Sequence, residues 1–361
     1  MRFRESAASV ADQAPRILGA VLCGLALLAS SACNKKSTPD WDTPGDSAPT
    51  TVSAPAPKEI ETPKPAAPIE PQAVSAAPAP KETASASESG LRFIAYNVEN
   101  WLTMDRYVER KQLKGAPKPE NEKEAVVRIL VSHQPDVIGI CEIGTAADLA
   151  EIQEDLKAAG LNLPNSHFTG GTDPTRHLGL LSRFPITSTA KPAETEYQLA
   201  GQTFGINRGV LDATVEARGK SYRFLGVHLK SKRDSEQGDQ EAIRLSEARL
   251  LRQHVDSIFK TNADARLVVY GDFNDTRATK PLKMITGKYN DPTYLTAIPA
   301  KDSNQEAWTH YWELNDIYSR IDFIMVSKVL RKEVDFPASK IIDDAEWKSA
   351  SDHRPLMAIF K

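Results

Sequence analysis

The chain has 361 residues, with 45 Lys and Arg against 48 Asp and Glu, and 40% of its residues are hydrophobic. A chain of this length forms one large domain or two small ones. Its nearly balanced charge excludes a protein that coats nucleic acid over its whole surface, although a local basic patch is compatible with it.

Residues 1–33 have the pattern of a secretory signal peptide. Arg2, Arg4 and Arg16 precede an apolar run, residues 17–29, which is too short for a transmembrane helix. Cys33 follows small residues, as in the bacterial lipoprotein signal, but Ser30 stands where that signal prefers an aliphatic residue. We therefore predict an exported protein. It is either tethered to the cell envelope through a lipidated Cys33 or secreted, and an uncleaved anchor is the remaining alternative.

Residues 34–90 are rich in Pro, Ala, Ser and Thr, and they predict a disordered, extended linker. Residues 91–361 form the predicted folded domain, with 37 basic and 38 acidic residues. Cys141 is the only cysteine in that domain, so no internal disulfide forms there. Its stability must come from a hydrophobic core, and 271 residues are enough to build one.

The domain mixes strands and helices. In chain order the patterns predict a strand at 91–98, helices at 121–133 and 146–160 on either side of a strand at 135–143, strands at 178–186, 209–217 and 222–229, a helix at 239–259, and strands at 266–271, 320–327 and 354–361. Some neighbouring strands have no helix between them. This favours an α/β (α+β) fold of layered sheets with helices outside, over a regular parallel barrel.

Most of these strands end in polar residues that suit a metal or a phosphate. The residues are Asn97 with Glu99, Glu142, His228 with Lys230, Asp272 with Asn274, Asp322, and Asp352 with His353. Each one alone is explained by a turn, a helix cap or a satisfied core histidine. Six such strand ends together predict that the side chains converge in one pocket.

This set of side chains is suited to hydrolysis at phosphorus. Carboxylate and amide oxygens bind a hard cation such as Mg²⁺, or Mn²⁺ or Ca²⁺. The two histidines suit proton transfer near neutral pH. Lys230 and Arg183 are predicted to hold negative substrate oxygens. No cysteine or paired-histidine spacing accompanies them, so a structural zinc site is not predicted.

Seven segments, taken in order, resemble the endonuclease/exonuclease/phosphatase superfamily. They are YNVEN, DVIGICEI, LLSRFPI, GVHLKS, GDFND, RIDFI and SDHRPL. The resemblance covers residues 91–361. It implies a four-layer sandwich in which two mixed β-sheets lie face to face, flanked by helices, with the site at one edge of the sheets.

The resemblance also implies a role for each residue. Glu142 resembles the main metal carboxylate, with Asn97, Glu99 and Asp352 at or near the metal. Asp272 and Asn274 resemble the pair that orients the nucleophile and the phosphate. His353 resembles the histidine that is paired with an acid, here Asp322, and His228 resembles a second histidine that contacts the phosphate or protonates the leaving oxygen. Either Asp272 or the Asp322–His353 pair activates the water. Asp275 is expected to be a turn or a helix cap.

The implied reaction is in-line attack of water on a phosphate ester. Lys230, Lys232 and Arg233 form a candidate basic patch or a solvated loop, and we favour nucleic acid as the substrate. A lipid or sugar phosphoesterase is the alternative, and a binding protein with a dead site is a third reading. The aromatic segment 308–314 is expected to be core rather than a substrate groove. No protein partner is predicted.

Overall fold

A computed structural model of the chain describes residues 90–108, 111–233 and 238–361. The predicted signal peptide with Cys33, and the predicted linker up to residue 89, lie outside the described residues. Within the described ranges, no helix has both the length and the apolar character that crossing a bilayer requires.

The described part contains eighteen strands, six α-helices and one 3₁₀ turn. The strands are β1 (Leu91–Trp101), β2 (Met104–Val108), β3 (Lys111–Ala116), β4 (Val137–Ile143), β5 (Asn165–Thr169), β6 (His177–Ser182), β7 (Ile186–Ala190), β8 (Glu196–Leu199), β9 (Gln202–Gly205), β10 (Val210–Ala217), β11 (Lys220–His228), β12 (Leu267–Asp272), β13 (Thr296–Ala297), β14 (His310–Trp312), β15 (Ile317–Ser319), β16 (Asp322–Val326), β17 (Lys340–Ile341) and β18 (Leu356–Phe360). The helices are α1 (Glu120–His133), α2 (Ala146–Ala158), α3 (Gln240–Thr261), α4 (Lys280–Thr286), α5 (Lys328–Arg331) and α6 (Trp347–Ala350), and the 3₁₀ turn is Glu313–Asn315.

Two six-stranded mixed sheets form the centre of the fold. The first has the order β17-β18-β1-β4-β6-β5, and the second has the order β13-β16-β12-β11-β10-β7. Each sheet has one parallel pair, β1 with β4 and β11 with β12, and its other neighbours are antiparallel. The carboxyl ends of a parallel pair lie at the same edge of the sheet, so the polar strand ends are brought together in pairs.

Hydrophobic side chains fill three layers between and outside the sheets. Residues from both sheets, including Phe93, Leu180, Phe224 and Tyr270, form the central core. Helices α1 and α2 cover the outer face of the first sheet, and α3 and α4 cover the outer face of the second. The predicted four-layer sandwich of two mixed β-sheets flanked by helices is therefore confirmed.

Local sequence accounts for most of the element boundaries. Helix α2 starts with a capping box, in which Thr145 and Asp148 each bond the other's backbone N–H, and it ends before Gly160, whose φ is +92°. The predicted strand 178–186 is wrong at its end. Strand β6 stops at Ser182, and β7 starts at Ile186 and pairs with β10 in the other sheet. The apolar pattern runs through this change of sheet, so the sequence alone did not reveal it.

Candidate active site

Polar strand ends from the two sheets meet at one edge. Asn97, near the end of β1, donates from Nδ2 to Oε1 of Glu142 on β4 at 3.1 Å. The same amide donates at 3.2 Å to Oδ2 of Asp272, which ends β12 in the other sheet. Asp272 pairs in register with His228 on one side and with Asp322 on the other. Asn97 therefore links the two sheets at this edge.

Strands β1 and β4 both bulge where they reach the site. Their pairing shifts register between Asn97 and Trp101. Glu99, Asn100 and Glu142 have φ of 49°, 55° and 68°, a left-handed conformation that is uncommon outside glycine. The N–H of Asn100 donates to Oε2 of Glu142 at 2.9 Å, so the two bulges hold each other. Backbone of this kind persists only where its surroundings fix it, and it is concentrated at functional sites.

The four predicted metal residues are brought together on this side of the site. Oε2 of Glu99 accepts from the N–H of Asp352 at 3.0 Å, and Oδ1 of Asn97 accepts from the N–H of Glu99 at 3.1 Å. Burial, together with the charges of Asp352 and Glu142, raises the pKa of Glu99 to about 7. Clustered carboxylates of this kind are relieved by a cation, and their oxygens match the preferences of Mg²⁺, Mn²⁺ and Ca²⁺. These oxygens suit a hard divalent cation by their chemistry. Among the described residues, the groups of acids and histidines whose ligand atoms lie within 4.8 Å of one another are Asp272, Asp322 and His353, and His310, Asp352 and His353, which include neither Glu99 nor Glu142.

His353 and two carboxylates form a buried cluster beside this group. Nδ1 of His353 lies 2.8 Å from Oδ2 of Asp322, and Nε2 lies 3.7 Å from Oδ2 of Asp272. Burial opposes the charged imidazole, but Asp322 and Asp352 outweigh it and raise the pKa of His353 well above its usual range. Burial and the charge of Asp322 raise the pKa of Asp272 to about 7. Both candidate bases therefore lie in one coupled cluster.

The loop after β12 turns sharply to present Asn274. Gly271 has φ +129°, and a Cβ at that position would lie 2.0 Å from the carbonyl oxygen of Val227, so only glycine fits there. Asn274 itself has φ 49°. Its N–H donates to Oδ1 of Asp272 at 2.8 Å, and its Nδ2 donates to the carbonyl of Leu229 at 2.9 Å. The motif GDFND thus holds Asp272 and Asn274 side by side.

Basic side chains lie around His228, whose Nε2 is 3.5 Å from Oδ2 of Asp272, the oxygen that His353 also approaches. Burial lowers the pKa of His228 well below its usual range, and the nearby charge of Arg208 adds to this, with smaller contributions from Arg176 and Lys230. Arg208 is only 7% exposed. Its Nε lies 3.1 Å from Oδ2 of Asp173, but its Nη1, like Nδ1 of His228, has no hydrogen-bond partner among the described residues. The structure therefore brings Lys230 to the site as predicted, and it adds two arginines.

Arg183, the other predicted substrate-binding residue, is corrected. Its Nε lies 3.1 Å from Oδ1 of Asp136, which directly precedes β4. Glu142 stands near the opposite end of this seven-residue strand, which at about 3.3 Å per residue spans about 20 Å. Arg183 therefore lies at the wrong edge of the sheet to contact the site.

Sequence patterns missed three residues of the site. Arg176 donates from Nε to Oδ1 of Asn100 at 2.8 Å, and Arg208 precedes β10. Both stand in irregular segments between strands, where no periodicity marks them. The ring of His310 lies 4.6 Å from that of His353, and its Nε2 is 3.7 Å from Oδ2 of Asp352. In the sequence, His310 was marked only as a histidine inside an aromatic segment, and that segment was expected to be core.

That aromatic segment is a hairpin rather than core. Strands β14 and β15 pair with each other and not with either large sheet. Trp312 is 45% exposed and Leu314 is 83% exposed. Trp308 does pack, with the guanidinium carbon of Arg354 3.3 Å from its ring centroid. Trp308 is half-buried and Thr309 is buried, but the hairpin is not core, so the expectation is wrong there. The hairpin adjoins the site through His310 at its base.

The fold has relatives of known structure. Sphingomyelinase C from Streptomyces griseocarneus has a TM-score of 0.51 and 13% identity, covering 75% of this chain and 99% of the other. A mutant of beta toxin from Staphylococcus aureus with bound magnesium ions has a TM-score of 0.50 and 15% identity, covering 76% and 100%. The human Nocturnin catalytic domain with a bound sulfate anion has a TM-score of 0.53 and 17% identity, covering 75% and 94%. At these identities the likeness establishes the fold alone.

The sequence matches no curated protein. It does match the model of the Endonuclease/Exonuclease/phosphatase family over residues 94–335, which is most of the described domain. Members of this superfamily are phosphoesterases, and the family match agrees with the edge-of-sheet site described above. The chain belongs to the endonuclease/exonuclease/phosphatase family.

Proposed function

We propose that the protein is an exported, metal-dependent phosphodiesterase that hydrolyses nucleic acid. One observation carries the proposal. The Asp322–His353 pair and Asp272 adjoin both acidic residues of metal-ligand type and basic residues of phosphate-binding type, since Asn97 bonds Asp272 and Glu142, and Nε2 of His228 lies 3.5 Å from Asp272 and 3.9 Å from Glu142. Phosphoryl transfer to water needs metal binding, proton transfer and phosphate binding at one point.

The metal would be held on the acidic side. Glu142, Asn97, Glu99 and Asp352 are the residues that would bind it, since they offer oxygen ligands and are linked in pairs by hydrogen bonds at this edge. Mg²⁺ bound there supplies Lewis-acid chemistry, in that it polarises a phosphoryl oxygen and stabilises the leaving oxygen.

Proton transfer falls to the buried cluster around His353. A water molecule attacks phosphorus in line, its oxygen forms the new bond as the bond to the leaving oxygen breaks, and its proton goes to a base. The base is His353, held by Asp322, or else Asp272, and His353 can take the proton only in its neutral form, which its raised pKa disfavours. Asn274 and His228 hold the phosphate, since Nδ2 of Asn274 lies 3.3 Å and Nε2 of His228 lies 3.5 Å from Oδ2 of Asp272.

The basic group favours a substrate with several phosphates. The folded domain is almost neutral, yet Arg176, Arg208 and Lys230 act together on His228. A nucleic acid strand offers phosphates on both sides of the bond that is cut, so such a cluster is suited to hold a neighbouring phosphate.

A lipid phosphodiester is the second candidate substrate, and one observation favours it. The tip of the β14–β15 hairpin exposes Trp312 at 45%, Leu314 at 83% and Ile317 at 45%, close to His310 at the site. Apolar side chains exposed in a group suit contact with a lipid surface.

The test compares both substrates. The purified protein is incubated with supercoiled plasmid DNA and with sphingomyelin vesicles, in Mg²⁺ and then in EDTA, beside the His353→Ala variant. Metal-dependent and His353-dependent nicking of the plasmid supports the nuclease. Hydrolysis of sphingomyelin but not of DNA would support the lipid substrate instead. A folded protein that hydrolyses neither DNA nor sphingomyelin refutes both candidate substrates.

We further propose that export ends in a lipid tether at Cys33, or in secretion if that cysteine is not acylated. Mass spectrometry of the N-terminal peptide of protein from a bacterial host decides between them. A diacylglyceryl mass on Cys33 supports the tether, and an unmodified N-terminus downstream of residue 33 contradicts it.

A further inference from the structure

Among the charged side chains that helix α3 buries, two lie one turn apart. Glu247 is 0% exposed and Arg244 is 3% exposed, on the helix face that packs against the second sheet. A charge in such a place is costly unless hydrogen bonds satisfy it. The proposed reaction uses neither residue.

Glu247 joins two segments that lead into the site. Its Oε1 accepts from the backbone N–H of Asn207 at 2.9 Å, and its Oε2 accepts from the N–H of Lys230 at 2.7 Å. Asn207 directly precedes Arg208, before β10, and Lys230 follows β11. One buried carboxylate therefore fixes the backbone at both basic residues.

Arg244 fixes the same region from the other side. Its Nη1 donates to the carbonyl of Lys230 at 2.9 Å, so the peptide groups on both sides of the Lys230 Cα are held by α3. Its Nε donates to Oδ2 of Asp275 at 3.1 Å, in the loop that carries Asn274. Asp275, expected to be a turn or a helix cap, is buried and also pairs with Lys232 at 3.0 Å. Its Oδ1 also accepts from the N–H of Thr276 at 3.0 Å, the local bond expected of a turn residue.

We propose that Glu247 and Arg244 are positioning residues that fix Arg208 and Lys230 to bind a phosphate of the substrate. The inference rests on the proposed phosphodiesterase function. Neither residue touches the substrate. Arg208 is buried with an Nη1 that lacks a hydrogen-bond partner among the described residues, so an anion oxygen is the partner it fits. Segments that are fixed beforehand lose less entropy when the phosphate binds, which raises affinity.

Two variants of the full chain test this. Glu247→Gln keeps one acceptor oxygen and turns an amide against the other N–H donor, and Arg244→Lys keeps the charge but loses the two-pronged contact. We expect the Kd for inorganic phosphate, measured by calorimetry, and the KM for plasmid DNA each to rise at least about tenfold, the effect of one lost good contact. We expect kcat to change little, because the His353 cluster is held by other strands.

Asp212→Asn is the matched control. Asp212 is also a buried acid of the second sheet, held by Arg223 at 2.6 Å and His254 at 2.7 Å, and it bonds neither segment. It should lower stability and leave the phosphate Kd unchanged. In a protein that carries both Arg208→Ala and Lys230→Ala, adding Glu247→Gln should raise the Kd little further, because Glu247 acts through these two side chains.

A folded Glu247→Gln protein with an unchanged phosphate Kd overturns the inference. A rise in the phosphate Kd of Asp212→Asn as large as that of Glu247→Gln also overturns it. If Glu247→Gln does not fold, Arg244→Lys carries the same test with the same outcomes. Calorimetry measures phosphate binding whether or not the protein is catalytically active. A wild-type protein that binds phosphate but does not cleave DNA therefore contradicts the proposed function and leaves the positioning role to be judged on its own.

Discussion

Replacing His353 with alanine removes the centre of the buried cluster. The imidazole bonds Asp322 at 2.8 Å and lies 3.7 Å from Asp272. If His353 is the general base, its loss lowers kcat about a hundredfold to ten-thousandfold, which corresponds to about 3 to 5 kcal/mol in activation free energy. If Asp272 is the base, the fall is smaller, because Asp272 keeps its bond from Asn97.

The same replacement also affects stability. Asp272 and Asp322 are register partners on β12 and β16, 2% and 4% exposed, and His353 is the cation between them. Breaking a buried ion pair by removing one partner costs about 3 to 5 kcal/mol. The free energy of unfolding of His353→Ala should therefore fall by an amount of this order, and a loss of activity alone would be ambiguous.

A second variant separates the two effects. Adding Asp322→Asn to His353→Ala removes one of the facing charges, so it should recover part of the free energy of unfolding without recovering turnover. Urea denaturation measures the first quantity, and initial rates of plasmid nicking in Mg²⁺ measure the second. A folded His353→Ala protein with near-normal turnover refutes the assignment. Turnover that returns in the double variant would show that instability, not lost proton transfer, caused the defect.

Three further outcomes follow from the site and the core. EDTA should abolish turnover and added Mg²⁺ restore it, whereas Glu142→Gln should need far more Mg²⁺ for half-maximal rate; a rate independent of both contradicts the metal site. Arg183→Ala should leave kcat and KM unchanged, because Arg183 pairs with Asp136 at the edge of the sheet opposite the site, and a large rise in KM would return Arg183 to the site. Hydrogen bonds from a histidine and an arginine lower the pKa of Asp212 although burial opposes this. That carboxylate therefore stabilises the fold above its unfolded pKa of about 4 and loses the effect as pH falls through its lower folded pKa. The stability difference between wild type and Asp212→Asn should shrink from pH 6 to pH 3, and a constant difference would contradict the shift.

Much of this fold could be predicted from the sequence. Alternating and helical apolar patterns predicted the central strands and the three long helices, because each buries one face against a neighbouring layer. Polar residues at strand ends predicted Asn97, Glu142, Asp272 and His353 as one site. Parallel pairing brings Asn97 and Glu142 to one edge, because β1 and β4 end there, and antiparallel pairing of β18 with β1 places His353, which precedes β18, at the same edge.

The rest depended on contacts between distant parts of the chain. Glu247 bonds the backbone of Asn207, 40 residues away, and backbone groups carry no sequence signal. Arg183 and Arg208 are alike in sequence, each beside a strand, yet one pairs with Asp136 at the far edge and the other lies near His228. Sequence by itself determined which residue types were present and which strands they follow. Only the tertiary structure decided which charges face one another, because the edge at which a strand end lies depends on its direction and its neighbours in the sheet.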